Sequence, residues 1–392
     1  MTNLANNFSQ SQTNHKIKNI LLVGCGAEIG SMLVGMISPQ IDGIRIGAIL
    51  TNPIDGDTNY PELSPVDSLL ARMVLLQPHL INDISVNPVE SQLIVRGEKI
   101  PVYWGDIETF NLKSLPQRYD ACILATSKKH VNDKKIAAKI AEVSEIILGV
   151  AEGVDIPAVY PSLLNGPEEY LPVKPIHVPN TNFYCLGSCQ TNGWQAQLRG
   201  ILDMADAMNF TSLTFKSLEV DIIHPDTPTG RLGTKSISAR DQDPRNNLRP
   251  SFSQVELSMN RIFPESNNIN TISLRTLILP PGFQICRYYF QYEMADGKRL
   301  NFDDIVRNFR NTADKNPYIL KMANQPLGSK AFEFVESAAV ILPQPKLMRF
   351  FDDPFNMYSP STVPISELIV QAYVHNTKGY CRSVIEAVRF IL

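Results

Sequence analysis

The chain has 392 residues, 44% hydrophobic and 19% charged, with a formal net charge of −3. That is material for roughly two or three globular domains. It offers no dense Lys/Arg block for nucleic acid or an anionic membrane surface, and no apolar run of the ~20 residues that span a bilayer. Residues 1–16 are rich in Asn, Gln and Ser and lack an apolar stretch, so they read as a disordered tail rather than a secretory signal, and a cytoplasmic protein is expected.

In chain order, the Asn-Ile-Leu-Leu-Val run at 19–23 is a strand, 29–37 is helical and 44–50 is a second strand, which opens a βαβ unit. Strand patterns at 93–95 and 100–104 flank an Arg96-Gly97-Glu98-Lys99 turn and form a hairpin. A strand at 120–125, a helix at 131–143 and a strand at 145–150 follow. The first half is therefore α/β, a doubly wound sheet of the Rossmann type.

Phe183-Tyr184-Cys185-Leu186 reads as a short buried strand, and the run behind Gly193 as a helix whose stripe is Trp194, Leu198, Ile201, Leu202, Ala205 and Met208. Longer strand patterns at 212–223, 271–279 and 283–294, with helices at 253–262 and 302–310, point to an α+β domain with a mostly antiparallel sheet. Residues 378–392 carry Tyr380, Val384, Ile385, Val388 and Ile391 at helical spacing, a closing helix. The Pro-rich and polar stretches at 156–179, 228–245 and 343–364 read as loops or partner surfaces.

Six cysteines, Cys25, Cys122, Cys185, Cys189, Cys286 and Cys381, lie far apart with no C-x-x-C pair, so free thiols and no metal site are expected. Cys189 differs from the others in its place, between a strand and the first turn of a helix. Unpaired amide N–H groups and the helix dipole favour a thiolate there and lower the thiol from its usual value of ~8.5. A buried, inert cysteine is the competing reading.

Gly24-Cys25-Gly26-Ala27-Glu28-Ile29-Gly30 joins the first strand to the first helix, where backbone N–H groups can receive a pyrophosphate. Its Gly-x-Gly-x-x-x-Gly spacing is one residue longer than the usual fingerprint, and a purely structural glycine turn is the alternative. The second strand ends Thr51-Asn52-Pro53. Asn52 can bond a ribose but does not repel a 2′-phosphate, which leaves NAD and NADP both open.

Together these residues resemble the glyceraldehyde-3-phosphate dehydrogenase family over nearly the whole chain after the tail. Ser188-Cys189-Gln190-Thr191-Asn192 is similar to the family's Ser-Cys-Thr-Thr-Asn, and His224-Pro225-Asp226-Thr227 to its His-Ala-Tyr-Thr. The stretch from Asn247 through Ser253-Gln254 to Phe263-Pro264-Glu265 matches in length the family's Asn-Ile-Ile-Pro-Ser-Ser-Thr-Gly to Leu-Pro-Glu segment. Ser273-Leu274-Arg275 looks like Ala-Phe-Arg, and Asn376-Thr377-Lys378-Gly379-Tyr380 like Asn-Glu-Trp-Gly-Tyr.

The resemblance implies an oxidoreductase that takes an aldehyde or activated acyl group onto Cys189 as a thioacyl intermediate, with His224 as base. It implies NAD or NADP held by Gly24, Gly26, Ala27, Glu28, Ile29, Asn52 and Thr126, with Asn376 orienting the nicotinamide amide and Tyr380 packed near it. It places substrate on Ser188, Gln190, Thr227, Ser253 and Arg275. It implies a nucleotide domain at 17–188 completed by the helix at 376–392, a catalytic and oligomerisation domain at 189–375, and a homotetramer.

The chain departs from the family at Gln190, at Phe252-Ser253-Gln254 and at Ala125-Thr126-Ser127, where phosphate or nicotinamide would meet small donors. This argues against inorganic phosphate as the acyl acceptor. A catalytically silent relative that binds nucleotide or a partner is the second reading, and an acyltransferase-like enzyme without hydride transfer the third.

Overall fold

The apolar run of β1 (Lys18–Val23) and that of β2 (Ile44–Thr51) are almost wholly buried, as the middle of a parallel sheet requires, and the two strands pair in parallel. They belong to a computed structural model that describes residues 17–53, 62–173, 182–225, 248–264, 268–352 and 364–392. The 1–16 tail and the 228–245 stretch lie outside the described residues, as do parts of the 156–179 and 343–364 stretches.

Between and after these strands come α1 (Glu28–Met36), α2 (Pro39–Asp42), α3 (Pro65–Leu76), β3 (Ile84–Asn87), β4 (Gln92–Val95), β5 (Glu98–Trp104), β6 (Tyr119–Leu124), α4 (Lys128–Val131), α5 (Lys134–Ala141), β7 (Ser144–Gly149) and β8 (Phe183–Cys185). The strands form one eight-stranded sheet in the order β3-β4-β5-β2-β1-β6-β7-β8. It is parallel from β5 to β8, and the β3–β4–β5 meander is antiparallel.

The rest of the chain folds as α6 (Cys189–Ala207), β9 (Phe210–Pro225), β10 (Arg249–Ser251), α7 (Val255–Ile262), β11 (Ile269–Thr276), β12 (Gly282–Met294), α8 (Phe302–Lys315), β13 (Leu320–Met322), β14 (Ala339–Ile341), β15 (Arg349–Phe351), β16 (Ser366–Val374) and α9 (Lys378–Ile391). The second sheet runs β10-β11-β9-β12-β16-β14-β13, with β15 also on β16. It is mixed: β9 pairs with β11, and β13 with β14, in parallel, and the other described pairs are antiparallel. The parallel β9–β11 pair follows from the crossover through α7, since a tight hairpin joins only antiparallel neighbours.

Two long helices position the site. The α6 stripe Trp194, Leu198, Ile201, Leu202 and Ala205 is buried against Val220, Tyr288 and Leu368 of the second sheet. Trp194 Nε1 donates to Ser258 Oγ at 3.1 Å, and the Tyr288 hydroxyl donates to the Trp194 carbonyl at 2.9 Å. The apolar face of α9 returns to the first sheet, where Tyr380, Cys381, Val384, Ile385 and Val388 join the core of Leu22, Leu33 and Ile49.

The helix expected over 131–143 is present as α5, shorter at both ends, and the short α4 precedes it. Asp133 accepts the Lys135 N–H at 2.9 Å and caps α5, while Asn132 donates to the Lys128 carbonyl and accepts the Val154 N–H. A good N-cap residue inside a helical pattern starts a new helix there.

Candidate active site

Strand register assembles the site at one edge of the second sheet. On β9 and β11, His224 is the direct partner of Arg275. Across β12, Gly282 is paired with Val374, the last residue of β16, and the chain leaving β16 carries Asn376 to the same edge. The N-terminus of α6 faces this edge, so Cys189 Sγ lies 3.8 Å from His224 Nε2 and 3.3 Å from Asn376 Nδ2.

The contacts of His224 bear on its tautomer. Nδ1 is in close contact with the Pro225 carbonyl, an acceptor, and stands 3.3 Å from Arg275 Nη1, a donor; the shorter contact favours the tautomer with its proton on Nδ1. Nε2 then keeps a lone pair. That lone pair receives the Asn376 N–H at 3.3 Å and faces the thiol. Arg275 Nε donates to Ser251 Oγ at 2.9 Å.

Ser188 is the N-cap of α6: its hydroxyl accepts the Thr191 N–H at 3.1 Å and shares a 3.0 Å bond with the Thr191 hydroxyl. Cys189 therefore begins a well-capped helix. It keeps some solvent exposure, yet protein surrounds the sulfur, and burial pushes the thiol up from its ordinary value. The Asn376 N–H and the Gln190 backbone N–H pull it down by less. The expectation that the helix terminus lowers the thiol is thus corrected: desolvation outweighs the donors, and the sulfur needs a base within reach.

Behind the N-cap, Glu152 is fully buried. Its carboxylate accepts from Tyr160 at 2.8 Å, from Thr191 at 3.3 Å and from Arg261 at 3.1 Å, and burial pushes its carboxyl up. Arg261 also donates to the Gly153 and Val154 carbonyls, which ties α7 to the loop after β7. Sequence reasoning missed this network. An acid alone in the apolar run Val150-Ala151-Glu152-Gly153-Val154 was the available signal, since such a residue is buried only when paired.

The other predicted substrate residues are placed as follows. Gln190 is buried, and its Oε1 and carbonyl both accept from Gln284 of β12, at 2.6 and 2.8 Å. Ser253 Oγ accepts the Val255 N–H at 3.2 Å at the start of α7. Thr227 lies outside the described residues.

At the glycine loop, Gly24 has φ 96°, and a Cβ there would stand 2.5 Å from the Ala125 carbonyl oxygen. A Cβ on Gly30 would meet the Gly24 carbonyl at 2.2 Å, so the turn and the start of α1 both require glycine. Gly26 N–H donates to Thr51 Oγ1 at 3.1 Å. Ala27, the N-cap of α1, has no side-chain oxygen for the first-turn N–H groups. Glu28 lies in that turn, and burial pushes its carboxyl up. Thr126 Oγ1, beside Gly24, is buried without a partner among the described residues.

Asn52 donates to Asp106 at 3.3 Å, a carboxylate just past the end of β5. Helix α9 links this loop to the thiol. Cys381 Sγ contacts the Ile29 carbonyl at 3.6 Å, and the Tyr380 hydroxyl donates to the Gly187 carbonyl at 2.6 Å.

No protein-family model matches the chain, and neither does any curated protein.

Proposed function

We propose that the protein is an NAD(P)-dependent oxidoreductase that takes an aldehyde, or an activated acyl group in reverse, onto Cys189. The observation that carries this is the meeting of Cys189, His224, Arg275 and Asn376 from four distant parts of the chain, with His224 Nε2 turned to the thiol. The first sheet supports the cofactor. Its parallel order β5-β2-β1-β6-β7-β8 matches the order expected of a Rossmann-type dinucleotide domain, and the glycine loop follows β1, where the order reverses, which supports this reading.

The residues fit the group. The Gly24 and Gly26 N–H groups are held by the Leu50 carbonyl and Thr51 Oγ1, and the first turn of α1 behind Ala27, which has no side-chain cap, offers its backbone N–H groups to a pyrophosphate. The partnerless Thr126 hydroxyl offers a polar contact, and Asn52 with Asp106 suits a ribose. A nicotinamide dinucleotide bound there supplies the hydride acceptor.

The chain's own residues do the rest. His224 Nε2 takes the thiol proton, the sulfur bonds to the carbonyl carbon, and the carbonyl π pair moves onto oxygen. The imidazolium returns that proton to the oxygen, which becomes a hydroxyl, and the neutral imidazole then accepts the hydroxyl proton as the carbon gives up its hydride and the thioester forms. Arg275, a half-exposed cation at the site's edge, suits an anionic substrate group. The bulky Gln254 at the N-cap of α7, where the family has a glycine, supports an acyl acceptor other than inorganic phosphate.

A homotetramer is part of this reading. The outer face of the second sheet carries Ile223, Ile272, Ile285 and Ile369 beside the ion pairs of Arg287 with Glu219 and Asp221, and this mixed face, with Ile272 61% exposed, is the one we assign to self-association.

The test is stopped-flow absorbance at the reduced-nicotinamide band, with NAD and NADP separately, across phosphorylated and plain aldehydes with and without phosphate. The expected result is a burst with one cofactor that Cys189→Ala abolishes. Absence of any signal while cofactor still binds would overturn the proposal in favour of a silent nucleotide-binding protein.

A further inference from the structure

A thiol and an imidazole account for the removal of a proton from sulfur, but a buried sulfur also needs something to hold the charge left behind. Asn376 is 7% exposed, and its amide has a fixed orientation. Its Oδ1 accepts the Gly282 N–H at 2.9 Å, so Nδ2, and not the oxygen, is turned to Cys189 Sγ at 3.3 Å. The approach depends on Gly282 having no side chain: a Cβ there would stand 2.7 Å from the Ile223 carbonyl and 3.1 Å from Asn376 Oδ1.

We propose that Asn376 is a catalytic residue whose side-chain N–H holds the negative charge on Cys189 Sγ, a different role from the nicotinamide contact that the family resemblance implies. The proposal rests on the reading of Cys189 as the nucleophile. In the resting site the Nδ2 donor is 3.3 Å from both Nε2 and Sγ and is shared between them. When the S–H bond breaks and its proton bonds to Nε2, that nitrogen no longer has a lone pair to offer. The Asn376 donor then turns wholly to the sulfur, whose pair is now an anion and a stronger acceptor.

The experiment is the pH profile of Cys189 carboxamidomethylation by iodoacetamide, read by the mass of the Cys189 peptide in wild type, Asn376→Ala and Asn376→Asp. It uses neither aldehyde nor nicotinamide, so a failure of the dehydrogenase reading leaves it interpretable. Loss of a charge-assisted donor is expected to move the apparent thiol pKa up by about one unit and slow alkylation at pH 7 about tenfold in Asn376→Ala. Asn376→Asp keeps the oxygen for Gly282 but replaces the donor with an anion, so it should slow alkylation further, and it decides the matter should the Ala variant not fold. Profiles of the variants superimposable on wild type would overturn the proposal, the more plainly if nicotinamide binding alone were weakened.

Discussion

Cys189 and His224 lie 35 residues apart: the place of Cys189 between a strand and a capped helix was legible locally, whereas His224 was singled out only by its position in the family resemblance. Ser188 caps a helix, and His224 falls near the end of a long strand. Replacing His224 with Asn should lower turnover by about 10²–10⁴ in kcat, measured at saturating aldehyde, because it removes the base that a buried thiol requires. Glu152 and Arg261 were not legible, since 109 residues separate them and neither has a local pattern that names the other. Arg261→Met leaves a buried carboxylate short of its cation and should cost about 3–5 kcal/mol near neutral pH, read from urea unfolding. Burial raises the Glu152 carboxyl in the folded chain. Its contribution to stability is therefore fully present below the unfolded value of ~4.3 and is lost as pH rises through the folded one. Glu152→Gln should flatten that fall, seen as unfolding midpoints that change less between pH 4 and pH 8 than those of wild type.

Among elements, α6 follows its sequence pattern closely, because a stripe at helical spacing and a capping serine specify both its face and its start. Where patterns failed, a competing local signal was present. Asp133, the N-cap of α5, starts that helix later than its pattern suggested. The Ser64–Asp67 capping box that opens α3 was overlooked, although both of its reciprocal bonds form. Strand β16, with its strict alternation of buried and half-buried residues, follows the Pro-rich stretch around 343–364 and was not distinguished from it. The loop before α1 was legible as glycines, but the reason each is needed is a tertiary contact. Gly24→Ala, at φ 96° with the Ala125 carbonyl 2.5 Å away, should weaken nicotinamide-dinucleotide binding by at least about tenfold in a fluorescence titration. Alkylation of Cys189 should be unaffected by that change.

For the molecule as a whole, the sequence distinguishes a parallel sheet from a largely antiparallel one. It did not foresee that β9 and β11 would run parallel, because strand direction depends on a crossover that no local pattern encodes. The return of α9 to the first sheet has the same character: helical periodicity marks a buried face, and only the fold says which core receives it. Self-association is the property that belongs to this scale. If the proposed self-association uses this face, Ile272→Arg, placing a cation beside Ile223 and Ile285, should give smaller species than wild type in sedimentation velocity, with Cys189 alkylation retained. The most direct test of the whole proposal is mass spectrometry of the protein quenched milliseconds after mixing with a productive aldehyde and its cofactor. An acyl group on the Cys189 peptide, absent without cofactor and absent in Cys189→Ala, is the expected result. Reduced nicotinamide formed while Cys189 stays unmodified at every quench time would contradict it.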